Sequence, residues 1–145
     1  MRITKIKYDV KTRITYAEDG DSKTLESNEL PRPEFRTALE SLALAYKTNL
    51  AIMLFGDKEQ IERFLERNIL LITGVTIDYT EEGTILCYKL QGHHQIKDTQ
   101  WDTDVKLLCT FGEEGSPDKE LLNLSKEAEM YIQCKRGEIN LFEEE

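Results

Sequence analysis

Residues 3–16 alternate with a period of two. Thr4, Ile6, Tyr8, Val10, Thr12, Ile14 and Tyr16 fall on one side, and Lys5, Lys7, Asp9, Lys11, Arg13 and Thr15 on the other. Successive side chains of a strand point to opposite faces, so this pattern predicts one long strand with an apolar face and a charged face. The charged face must meet water and the apolar face must be covered. The segment is therefore read as half-buried.

The following residues supply partners and cover. Asp19-Gly20 favours the left-handed backbone of a hairpin turn, so residues 22–27 should return antiparallel. Pro33 suits the first turn of a helix, and Phe35, Leu39, Leu42 and Tyr46 keep helical spacing to about Lys47. The apolar run 50–55 fits helix or strand. Asp57, with Gln60 three residues on, has the form of a capping box for a second helix that ends near Asn68. Residues 69–79 and 84–90 read as strands joined at Glu81-Glu82-Gly83, and 92–102 as a polar loop. Val105, Leu107, Cys109 and Phe111 form one face of a further strand. Ser116 as cap and Pro117 as first residue open the last helix, which buries Leu121, Leu124, Ala128, Tyr131 and Ile132 and stops at Gly137. The expected class is α+β, an antiparallel sheet covered by helices, in the order β-β-α-α-β-β-β-α. Residues 1–136 form the single domain and 137–145 a mobile acidic peptide.

The chain has 19 Lys+Arg against 28 Asp+Glu, a formal charge of -9. A globally basic nucleic-acid binder is therefore not expected. The charge is uneven: residues 1–16 hold five basic side chains and one acid, while 113–145 hold four and ten. No apolar run approaches the roughly 20 residues of a membrane helix, and the alternating N-terminus lacks the unbroken apolar stretch of a signal peptide.

Cys87, Cys109 and Cys134 are odd in number and far apart, without the spacing of a zinc site or a disulfide framework. Cys87 and Cys109 read as buried inert thiols, and the cytoplasm as the compartment. His93 and His94 are adjacent, so in extended chain they point apart and do not share a metal ion. Asp98, Asp102 and Asp104 with Trp101 could gather Mg²⁺, but a solvated loop with Trp101 docked on the body is the better reading. No nucleophile elbow and no phosphate-cradling Gly-rich loop is present. The expectation is a protein without catalytic residues, metal or cofactor.

Beyond Gly137, large apolar residues sit before an acidic end, where short peptides often anchor in a partner's pocket. Glu138-Ile139-Asn140-Leu141-Phe142 resembles the pentapeptide by which bacterial and phage replication proteins bind the sliding clamp, usually Gln-Leu-Ser/Asp-Leu-Phe. Leu141 and Phe142 match outright, Ile139 replaces Leu, Asn140 is small and polar, and Glu138 departs from Gln. The alternative is that Ile139, Leu141 and Phe142 fold back on a body short of core.

Three further stretches stand out: Pro31-Arg32-Pro33-Glu34-Phe35 with Ala38-Leu39, Thr73-Gly74-Val75, and Ala128-Glu129-Met130-Tyr131-Ile132 followed by Lys135-Arg136 and the Leu-Phe pair. Through these the whole chain resembles a family of small, largely uncharacterised bacteriophage proteins. That resemblance implies a phage protein of the early or replication region, acting in host cytoplasm, with no known catalysis. The resulting expectation is an adaptor that binds a partner, the sliding clamp, through Glu138–Phe142. An alternative is an acidic inhibitor of a host defence or nucleic-acid-processing protein. Lys5, Lys7, Lys11 and Arg13 could contact phosphate, but a solvated strand face fits the acidic total better.

Overall fold

In the computed structural model, which describes residues 1–138, β1 (Arg2–Tyr8), β2 (Thr12–Glu18) and β3 (Asp21–Ser27) form a meander. Helices α1 (Pro33–Leu54) and α2 (Lys58–Arg67) follow, then a second meander, β4 (Asn68–Tyr79), β5 (Ile85–Ile96) and β6 (Asp102–Thr110), and helix α3 (Asp118–Lys135). The six strands make one antiparallel sheet in the order β3-β2-β1-β4-β5-β6. Three strands followed by a helix occur twice, and the two units meet where β1 pairs with β4. The α+β class and antiparallel sheet are as expected, with one strand more than the expected order contains.

That extra strand comes from a hairpin inside the 3–16 alternation. The chain reverses through Asp9–Lys11, where the Asp9 carboxylate accepts from the Val10 N–H and the Asp9 N–H donates to Lys11 O at 3.2 Å. Val10, expected on the apolar face, is 89% exposed. An irregularity between Ile3 and Lys5 also shifts the parity, so Ile3 and Ile6 are both buried and Thr4 is the extra residue. The β2–β3 turn matches its sequence signal: Asp19 and Gly20 have φ of 54° and 82°, the positive pair of a two-residue hairpin loop.

The run 50–55 resolves as helix, since α1 continues to Leu54 and the Phe55 N–H donates to Ala51 O. Asp57 caps α2 through Glu59 N, as its position suggests. Strand β5 extends through His93-His94 to Ile96, so the first five residues of the expected 92–102 loop are sheet. Ser116 is not the cap of α3. Its hydroxyl donates to Thr110 O, and Pro117 occupies the N-cap. The carboxylate of Asp118 instead receives the buried Tyr88 hydroxyl at 2.8 Å and the Gly112 N–H at 2.8 Å, locking α3 to the β5–β6 end.

All three helices lie against the same side of the sheet or beside each other. Phe35, Leu39, Leu42, Leu121, Leu124 and Ile132 meet Ile6, Ile14, Val75, Tyr88 and Leu90 in the core. Cys109 joins that core, and burial pushes its thiol up to about 11. Cys87 is half-buried on the other face beside Asp78, which corrects its expected place in the core.

Arg32 joins the two helical units. Its Nε and terminal nitrogen reach Glu127 at 2.8 and 2.6 Å, with only 26% and 13% of the two side chains exposed. A planar fork on a carboxylate is the geometry in which an ion pair contributes most. Arg32→Ala is expected to lower stability by about 1–3 kcal/mol. Arg32→Lys should recover less than half of that, as read from urea midpoints.

Candidate functional site

The expected partner-binding peptide begins where α3 stops. Leu121, Leu124, Ala128, Tyr131 and Ile132 bury one stripe of α3, and the Tyr131 hydroxyl donates to Glu29 O at 2.8 Å. Gly137 then takes φ of 78°, a conformation that costs a side-chain-bearing residue free energy. Its N–H donates to Cys134 O and the Glu138 N–H to Gln133 O, the paired bonds of a Schellman stop. Arg136 lies between Glu18, at 3.0 Å, and Glu138, at 2.8 Å. Partial burial raises the Glu18 pKa, but the hydrogen bond and charge of Arg136, with Lys23 nearby, outweigh it and hold the carboxyl below its usual value.

Glu138 thus has a role in the body: its carboxylate closes an Arg136-centred chain of charges. Ile139, Asn140, Leu141 and Phe142 lie outside the described residues.

The four basic residues of the first strands do not act as one set. Lys11 and Arg13 both approach Glu26, at 3.6 and 3.2 Å. Lys5 and Lys7 point from β1 to the uncovered face of the sheet and make no salt bridge among the described residues. Strand register adds two residues that sequence reading missed. Lys5 lies in register with Thr76 and then Lys89; Lys7 lies in register with Gly74, Gln91 and then Lys106. The six strands together carry seven Lys/Arg and six Asp/Glu, so the acidity of the chain resides outside the sheet.

His93 and His94 leave β5 on opposite faces. His93 Nδ1 is 2.8 Å from Asp104 and 3.9 Å from Asp102 on the uncovered side. His94 turns under the helices, where its Nε2 meets Asn68 Oδ1 at 2.8 Å and its ring meets Trp101 edge-on at 4.9 Å. Asp98 lies in the β5–β6 turn with φ of 65°. Among the described residues no three His, Cys, Asp or Glu side chains are grouped to hold a metal ion. Nor is any helix among them long and apolar enough to cross a membrane.

Comparison with known protein families, with curated proteins and with solved structures gives no match for this chain.

Proposed function

We propose that the chain is a non-enzymatic adaptor of bacteriophage type, acting in host cytoplasm, which binds the sliding clamp of a replication machinery through residues 138–142. The observation that carries this reading is the abrupt stop of α3 at Gly137, immediately before the pentapeptide. Leu141 and Phe142 are the anchors, Ile139 a secondary apolar contact, and Asn140 the small polar residue between them. Among the described residues, the hydrophobic core runs from Ile3 to Ile132.

Titrating a labelled peptide spanning residues 136–145 against a purified bacterial clamp tests the proposal. Saturable binding is expected, and its absence sinks the idea.

Glu138 is where the motif is weakest. Binding in the usual mode must release its contact with Arg136 and bury a charge where an amide is customary. Glu138→Gln is therefore expected to tighten full-chain binding roughly three- to tenfold, about 0.7–1.4 kcal/mol. Titration calorimetry of the two chains against one clamp preparation reads the difference.

The acidic-inhibitor reading draws on the concentration of negative charge outside the sheet. Its signature would be salt-sensitive capture of a basic host protein that persists after residues 139–145 are deleted.

A further inference from the structure

Beneath the helices, on the β5–β6 side, a small apolar cavity of about 100 Å³ opens between α1, α2 and the sheet. Tyr46, Leu50, Leu70, Val105 and Leu107 supply its apolar walls. Phe64 and Asn68 line both this cavity and a wider outer depression of about 410 Å³, whose lining includes Arg63 and Arg67. An inner apolar space beside an outer basic one is the shape of a site for an amphipathic anion.

Three polar side chains, Lys47, Asn68 and His94, border the inner space. Lys47 enters from α1 and donates to Asn68 O at 2.9 Å and, more weakly, to Leu65 O at 3.5 Å. It has no carboxylate partner among the described residues, and burial pulls its pKa down. Asn68 Nδ2 donates to Phe64 O at 2.9 Å, which makes Oδ1 the acceptor for His94 Nε2–H. Lys47, Asn68 and His94 are thereby fixed in one network at the cavity wall. Arg67, in the last turn of α2, also lacks an ion pair among the described residues, whereas Arg63 is shared with Glu59 at 3.3 Å.

We propose that this cleft binds a small amphipathic carboxylate, with the alkyl or aryl end among Leu50, Phe64 and Leu107 and the carboxylate between Lys47 and Arg67. The inner volume suits an apolar group no larger than about one benzene ring, since a dry cavity of roughly 150 Å³ accepts benzene. A longer ligand holds its carboxylate end toward the outer depression, where Arg67 lies. The anion supplies the counter-charge that Lys47 lacks, and displaced water leaves an apolar wall. The proposal does not rest on the clamp-binding peptide, because among the described residues the lining of both spaces ends at Leu107.

Trp101 is the only tryptophan of the chain, and it packs on His94 at the cavity wall. Its emission should follow occupancy without a label. Octanoate titrated into the full-length protein at pH 7 is expected to change that emission saturably, and octanol, which has the same chain without the charge, should bind at least tenfold more weakly. Arg67→Gln, at an exposed position, should weaken octanoate at least fivefold and leave octanol unchanged. Val105→Phe should block both ligands, with far-ultraviolet circular dichroism confirming the fold. Equal binding of octanoate and octanol overturns the anion site, as does an unaffected Arg67→Gln variant. Non-saturable emission change or unaltered binding by folded Val105→Phe overturns the cleft itself.

Discussion

Replacing Leu141 and Phe142 together with alanine is expected to abolish measurable binding of the full-length chain to a bacterial sliding clamp. Full burial of a Leu or Phe side chain contributes about 1.5–3 kcal/mol, so the pair accounts for roughly 3–6 kcal/mol, or two to four orders of magnitude in affinity. Truncation at each position singly should cost about tenfold to one hundredfold, and Ile139→Ala less. On the adaptor reading, the stability of the double variant is expected to stay within about 0.5 kcal/mol of the parent. A large loss of stability would instead favour a tail folded onto the body. Chemical denaturation beside calorimetric titration separates the two outcomes.

Gly92→Ala carries the largest expected effect on stability. A Cβ at this position would lie 1.9 Å from Leu71 O, 2.9 Å from Leu71 C and 3.0 Å from Ile72 Cα. All three are backbone atoms of β4, where Gly92 pairs with Ile72 beside a register shift. No rotamer relieves such a clash, so the β4–β5 ladder must spread at the middle of the sheet. A loss of about 3 kcal/mol or more is expected, enough to leave a marginal domain largely unfolded at 37 °C. Gly74→Ala is the control. Its Cβ would meet the end of the Gln91 side chain at 3.3 Å, which can swing aside. That variant should lie within about 1 kcal/mol of the parent. Equal tolerance at both positions, read from urea midpoints, would contradict the register of β4 and β5.

These two glycines also mark where sequence reading stops. A local conformational signal is visible in the residues themselves: the Asp19-Gly20 turn, the Asp57 cap and the Gly137 stop all fall where their chemistry places them. The Asp9–Lys11 reversal is not visible in that way, because it uses no glycine and continues the polar alternation on both sides. Its turn is closed by the Asp9 N–H donating to Lys11 O. Likewise, His93-His94 and Gln95 look like loop residues until β4 and β6 are paired on either side of them. An antiparallel sheet with one solvated face needs no apolar residue on that face.

The candidate sites divide along the same line. The pentapeptide is a contiguous string, and its proposed role rests on that string alone. Lys89 and Lys106 join Lys5 and Lys7 only through the order of four strands, and the Lys47–Asn68–His94 network needs α1, β4 and β5 to meet. No spacing in the sequence encodes either grouping. The thiols show the reverse error: Cys87 and Cys109 have similar apolar neighbours, yet lie on opposite faces because their strand positions differ in parity.

The central claim is that this chain is a partner-binding adaptor working through its C-terminal peptide. Calorimetric titration of the full-length protein into a purified bacterial sliding clamp tests it most directly. Saturable binding with one site per clamp protomer, competed by the free 136–145 peptide, is the predicted result. No heat of binding across clamp concentrations up to hundreds of micromolar, with both proteins folded, would contradict it.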